Sequence, residues 1–448
     1  MFEVLKHRTY RHFFAAQATS LIGTGMMTVA LGLLAYHLAG PGHASAVLGI
    51  ALAIKMVVYV LVSPVVASFA SCWPRKPLLI SMDLLRAALV LLLPLVSHVW
   101  QIYALIAILQ TCSAAFTPAF QATIPDLLPD EAQYTRALSL SRLAYDLENL
   151  LSPLLAALLL GSMTFRGLFG FTLAGFLLSA LLVATVRLPR RPPSIKPRPP
   201  VLDGMRRYLA TPRLRGMLSL SLAEAAGGAL VIVNTVIYVR RWVGGSDQDV
   251  ALFMAAFGGC SMLAALSLPR LIDRLSDRAV MLAGAALSGS GLAVLAVAAP
   301  FVNGSARAAV LIACWALIGL GYASILTPGG RLLKRSSDDE GRAAIFAAQF
   351  SLSHACWLIM YPLAGWLGTL VSPAWGGLVM GGITLAAVAL AMRFWPAHDP
   401  QIVPHHHDGL PNDHPHVVDM PTDESGVHAH AFIIDDEHPR WPQHHPSA

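Results

Sequence analysis

The sequence predicts an all-α membrane protein of twelve transmembrane helices in two six-helix pseudo-repeats. Three observations carry that prediction: the clumping of apolar residues, the placement of basic residues, and an internal repeat. Residues AVILMFWYC make up 56% of the 448-residue chain, DEKR only 12%, and mean hydropathy is +0.61. A soluble domain carries about twice that charged fraction. The apolar residues gather in windows of about 20, the length of a helix that crosses a bilayer.

The expected spans are 13–37, 45–70, 78–98, 100–124, 134–160, 167–187, 216–240, 250–270, 279–300, 307–329, 342–371 and 375–395. Met1 to Arg11 is polar and basic, and the apolar run after it is long enough to span. Insertion through an uncleaved first helix is therefore expected rather than a cleaved leader. Alternate loops differ sharply in charge. Those on the side of the N-terminus hold 23 Lys and Arg, and the opposite loops hold four: Arg166, Arg240, Arg241 and Arg307. The positive-inside rule places both termini in the cytoplasm.

These boundaries divide the chain into a first half (1–187), a cytoplasmic linker (188–215), a second half (216–395) and a tail (396–448). The linker opens with the proline-rich, basic stretch Leu188–Pro200. The tail holds nine acids and one base, so it sits near −8 and the rest of the chain near +14. Basic loops beside an anionic leaflet account for that excess without nucleic acid.

The halves echo each other. Thr117-Pro118, Asp130-Glu131 and Pro153 in the first correspond to Thr327-Pro328, Asp339-Glu340 and Pro362 in the second, at an offset of 209–210 residues. Basic loops recur after the second and eighth spans, as Pro74-Arg75-Lys76 and Asp273-Arg274-x-x-Asp277-Arg278. Such duplication places a substrate path between the halves, near the bilayer midplane.

With these features the chain resembles the major facilitator superfamily, whose loop pattern is roughly G-x-x-x-D-R-x-G-R-R. Asp273, Arg274 and Arg278 match that pattern in the second half. In the first half only Arg75 and Lys76 remain, with Ala67, Ser71, Cys72 and Pro74 at the Gly, Asp, Arg and Gly positions. The resemblance implies that these matching residues form a gating loop. The stretch Pro125–Pro153 also resembles bacterial nickel-resistance permeases with histidine-rich C-termini. That resemblance implies nickel efflux.

Ionisable residues inside spans are costly and line cavities or find partners. Arg142 and Asp146 stand four apart in the fifth span and share a face, as a structural pair or as part of the path. Glu148 points elsewhere, and Glu224 comes from the seventh span. Carboxylates from both halves can thus converge on one site, as oxygen ligands or as proton carriers. Asp83 and Arg86 read as a structural pair, and Lys55 as cavity-facing or snorkelling. His354, near Cys356 and Met360 in the sequence, is either a soft-metal contact or a hydrogen-bonded helix contact. His37, His43 and His98 near the opposite face read as possible exit-side contacts.

Eleven of the 17 histidines follow residue 396. His405, His406, His407, His414, His416, His428, His430, His438, His444 and His445 are the candidate metal ligands, because neutral imidazole binds nickel, zinc, copper and cobalt. Few apolar residues accompany them, so a disordered tail is expected. The five cysteines are scattered, without a CxxC pair, which indicates neither a disulfide framework nor a zinc ribbon.

The expected function is export of a divalent metal, nickel or cobalt, by proton antiport, because the sequence carries no Walker A pattern. An organic-solute exporter with a metal-responsive tail and a membrane-tethered metal buffer or sensor are the alternatives. An enzyme is not expected, for want of a nucleophile–base constellation. The expected partners are the metal, protons and the bilayer; no cofactor is expected beyond the metal as substrate and tail ligand, and the chain reads as a monomer.

Overall fold

The computed structural model describes residues 2–40, 42–62, 74–128, isolated positions between 130 and 156, 158–187, 201–272, 275–337, 342–370, 372–400, 402–405, 428–435, 438 and 440–442. The first half contributes α1 (Arg8–Ala39), α2 (Ala44–Val57), α3 (Arg75–Leu92), α4 (Val99–Leu127) and α5 (Phe165–Thr185). A short α6 (Val201–Ala210) precedes the second half. There follow α7 (Pro212–Ile237), α8 (Asp247–Ile272), α9 (Asp277–Ala298), α10 (Ser305–Leu326), α11 (Gly329–Arg335), α12 (Arg342–Leu370) and α13 (Pro373–Phe394). Among the described residues, ten helical stretches are long and apolar enough to cross a membrane, and Ala44–Val60 is a shorter apolar helix. Most of the fifth expected span lies outside the described residues.

The linker expectation needs correction. Residues 201–210 form a helix, and the seventh span starts at Pro212 rather than 216. Proline suits a first helical turn, where its missing N–H costs nothing. Arg213 and Arg215 hid that turn from a reading based on apolar windows. Helix α6 packs on α12, and its Tyr208 is fully buried, with the hydroxyl donating to Gln349. Burial pushes that phenol's pKa up.

Within a bilayer, small residues let helix backbones approach. Gly23 and Gly175 join α1 to α5: a Cβ on Gly175 would stand 2.8 Å from the Thr19 carbonyl oxygen. The two halves meet most intimately through α2 and α12, away from the end that carries the termini. A Cβ on Gly365 would stand 2.6 Å from the Ser45 carbonyl oxygen, and one on Gly49 2.6 Å from that of Tyr361. At the same end Arg240, in the π-helical turn Tyr238–Val243 that continues α7, lies over the Tyr36 ring of α1 at 5.4 Å. Farther along α2 the contact changes character, and Tyr59 meets Phe350 and His354 ring to ring at 6.2 and 5.7 Å. Tyr59 lies in the π-helical turn Val58–Val62 that continues α2.

The internal repeat has a structural counterpart. Lys76 Nζ at the start of α3 donates to the Ala184 and Val186 carbonyls, at 2.6 and 2.8 Å. Arg278 Nε at the start of α9 donates to the Trp395 carbonyl at 2.9 Å. In each half a basic side chain thus satisfies the exposed carbonyls at the end of the last helix.

Inside the first half, Arg86 is ion-paired with Asp83 and sandwiched between Phe116 and Phe176, 4.5 Å from each ring centroid. Ser179 donates to the other Asp83 oxygen at 2.7 Å. Both charges are buried, so the pair ties α3 to α4 and α5. Asp83→Ala leaves the guanidinium buried and uncompensated, at a cost of about 3–5 kcal/mol. Thermal unfolding in detergent should fall markedly, and an unchanged midpoint would remove this bracing role.

The tail expectation is corrected where the tail is described. Strand β1 (Ile402–His405) pairs antiparallel with β2 (His428–Ala431), in the register Ile402↔Ala431 to His405↔His428. Val403, Phe432 and Ile434 form a small core against Ala210 and Trp441. Four apolar side chains dispersed among histidines and acids look too few in sequence. They suffice because the membrane bundle supplies the opposing surface.

Candidate functional site

Glu148 and Glu224 occupy opposite halves. A Cβ on Gly25 of α1 would lie 3.2 Å from Glu148 Cγ, which places the fifth span against α1. Ser141 in the same span donates to Gln17 at 2.9 Å and reinforces that packing. Glu224 is 6% exposed on α7, and the Trp357 ring covers Gly228 one turn later. Lys55 of α2 lies within reach of Glu148 and of His354, and its ammonium is 5.9 Å from the Tyr59 ring centre. Glu148 and His354 are both half-buried.

His354 Nδ1 is 2.7 Å from the Phe350 carbonyl, and its ring stacks near Phe350 at 4.0 Å. It faces Tyr59 and Lys55. Cys356 lies within electrostatic reach of Glu224 and, like Met360, belongs to the buried core. Residues two apart on a helix point about 200° apart. The imidazole and the thiol therefore serve different surroundings rather than one ligand set. Among the described residues, no group of three or more His, Cys, Asp or Glu is placed to hold a metal ion.

The other expected positions are distributed as follows. Arg142, Asp146, Asp273 and Arg274 lie outside the described residues. Arg75 begins α3 beside Lys76. Asp277, buried at the head of α9, accepts from Arg331 at 2.5 and 2.9 Å and ties that loop to α11. In the tail, His405 and His428 are register partners, and the His430 and His438 rings lie 5.1 Å apart. His406, His407, His414, His416, His444 and His445 lie outside the described residues.

Sequence reasoning missed the aromatic wall of the site. Phe350, His354, Trp357 and Tyr361 recur at intervals of four, three and four, the spacing of one helical stripe. Trp357 touches Tyr361 and Tyr322, with ring centroids 5.0 and 6.3 Å apart. Lys55 and Tyr59 are likewise four apart on α2. That periodicity was visible in the sequence but is easily read as core.

Two helical halves that meet through α2 and α12 are the architecture of a membrane transporter. The chain belongs to the Major Facilitator Superfamily, whose family profile matches it twice, over residues 13–239 and 216–410. It is 27% identical over 182 residues to macrolide efflux protein A of Streptococcus pyogenes, covering 40% of this chain and 44% of that protein. It is 26% identical over 170 residues to the uncharacterized MFS-type transporter YfiS of Bacillus subtilis, covering 38% and 40%. The chain thus spans less than half the length of these curated relatives. Among solved structures, the POT family transporter PepTSo aligns with a TM-score of 0.70 at 12% identity, over 87% of this chain and 97% of that one. A variant of the nucleoside transporter NupG aligns at 0.65 and 12%, over 86% and 100%. At such identities the likeness establishes the fold alone.

Proposed function

We propose that this transporter exports a divalent transition-metal cation, nickel first and cobalt second, from the cytoplasm across a bacterial-type inner membrane in exchange for protons. The observation that supports the reading is that Glu148 packs against α1 in the first half while Glu224 is buried on α7 in the second. Carboxylates at such a junction can exchange a metal for protons as the halves rock. The tail's histidines gather metal beside the bundle. Imidazole affinity alone ranks copper above nickel and zinc, so the preference for nickel rests on the family resemblance, carried mainly by the histidine-rich tail. Expression in a sensitive host is expected to lower cell nickel, read by elemental analysis. Unchanged accumulation, with the protein verified in the membrane, sinks the metal reading.

A second reading, export of an organic solute, draws support from the aromatic stripe on α12 and from the macrolide efflux relatives. A resistance panel of metals beside hydrophobic drugs separates the two. A membrane-tethered buffer is separated by deleting residues 401–448, which leaves Asp399 in place. An exporter should retain part of its nickel resistance with a weaker response at low metal, whereas a buffer should lose all of it.

A further inference from the structure

Three buried side-chain oxygens without a hydrogen-bond partner gather where the two halves press together, at the end away from the termini. They are Ser45 Oγ of α2, Asn234 Oδ1 of α7 and the Tyr238 hydroxyl in the turn that continues α7. Their residues are 2%, 0% and 3% exposed. Asn234 Oδ1 and Ser45 Oγ flank one point, the place where a side chain on Gly368 of α12 would begin, and Ser45 Oγ is 2.7 Å from it. The Tyr238 hydroxyl lies 2.5 Å from the corresponding point on Gly376 of α13. Glycine thus lets these helices close around polar atoms that no described residue satisfies.

The neighbours show that this is local. Thr235, between Asn234 and Tyr238, accepts from Trp315 Nε1 at 2.8 Å and donates to the Val231 carbonyl. Asn234 Nδ2 donates to the Ala364 carbonyl at 2.9 Å, which leaves Oδ1 turned toward Gly368. Among the described residues, four uncharged side-chain atoms are buried without a partner, and three of them are these; the fourth is Gln17 Nε2 of α1. A buried polar atom without a partner raises the free energy of the state that buries it, and hydration removes that cost. A cavity of about 350 Å3, lined by Tyr238, Arg241, Gly368, Thr369 and Ser372, borders the cluster at Tyr238 and Gly368. Water entering from there meets all three oxygens once α2 and α12 part.

We propose that Ser45, Asn234 and Tyr238 act as a spring in the gate at this end: their unmet hydrogen bonds weaken the closed contact and favour its opening, where water meets them. Close packing at Gly49, Gly365 and Gly368 holds the halves together, and the polar cluster keeps that hold reversible as the halves rock. These residues set the conformational balance of the carrier rather than its solute preference. The inference goes beyond metal export and holds for any solute.

The test uses purified full-length protein in lipid nanodiscs, without solute, with spin labels at the exposed positions 98 and 303, one in each half at this end. Ser45→Ala and Tyr238→Phe each delete one unpartnered oxygen and no hydrogen bond. Each should shift the balance toward the short distance by about fivefold or more, and the double variant further. A supporting role predicts the opposite sign, because deleting a group that braces a contact loosens it. Where the long distance is too rare to count, amide exchange over residues 364–370, which reads rare openings, should slow by the same factor. Unchanged distances and exchange in both variants, or a shift toward the long distance in either, overturns the proposal. The expected shift beside unchanged nickel accumulation in a sensitive host supports it and removes the export reading. Nickel export with no shift in either variant does the reverse.

Discussion

Glu148→Gln and Glu224→Gln, made separately, are expected to lower proton-driven nickel exchange in inverted vesicles by about 100-fold each, the equivalent of ~3 kcal/mol of lost charge compensation. Each substitution keeps the side-chain shape and removes one buried or half-buried carboxylate charge from its half. Lys55, within reach of Glu148, would then be left without that counter-charge. On the proposed reading a cation needs negative charge from both halves, so neither carboxylate should substitute for the other. Retained exchange in both variants, with normal membrane levels, would eliminate this site. Loss in one alone would confine the path to that half. Drug export that survives while metal export fails would favour a broader substrate range.

Gly365→Val should arrest the transporter by steric means. A Cβ there stands 2.6 Å from the Ser45 carbonyl oxygen and 3.3 Å from Gly49 Cα. These neighbours are backbone atoms, which cannot turn aside, so α2 and α12 must separate. Overpacking of this kind costs about 1–3 kcal/mol, enough to shift the balance between conformations by about 5- to 150-fold. The population with the halves apart at this end should rise, and transport should fall by about tenfold or more. Spin-label distances between α2 and α12, measured beside vesicle exchange, test both effects. Unchanged distances and rates would show that the close approach is incidental.

Much of this was legible because a bilayer makes sequence speak plainly. Span lengths follow from hydrocarbon thickness, which the ends of α1, α5 and α13 obey within a few residues. The 209–210 offset is covalent information and needs no folding to be read. Legibility failed where polar residues are structured by something distant. The turn at Arg213 read as linker because its partners come from residues 399–441. The hairpin read as disordered because its four apolar side chains have no surface of their own to cover. The stripe Phe350, His354, Trp357 and Tyr361 went unread because a helix face has no label until its neighbour is known.

By itself, then, the sequence determined an all-α, duplicated membrane bundle with carboxylates in both halves and a histidine-rich tail. These follow from composition, periodicity and charge, which are local properties. Tertiary structure alone decided that Glu148 packs against α1 and Glu224 is buried on α7, that His354 and Cys356 serve different surroundings, that Lys76 and Arg278 close the last helix of each half, and that the tail docks on Arg213. Each of those facts joins residues far apart in the chain or sets the rotation of a helix, and packing, not local preference, fixes both.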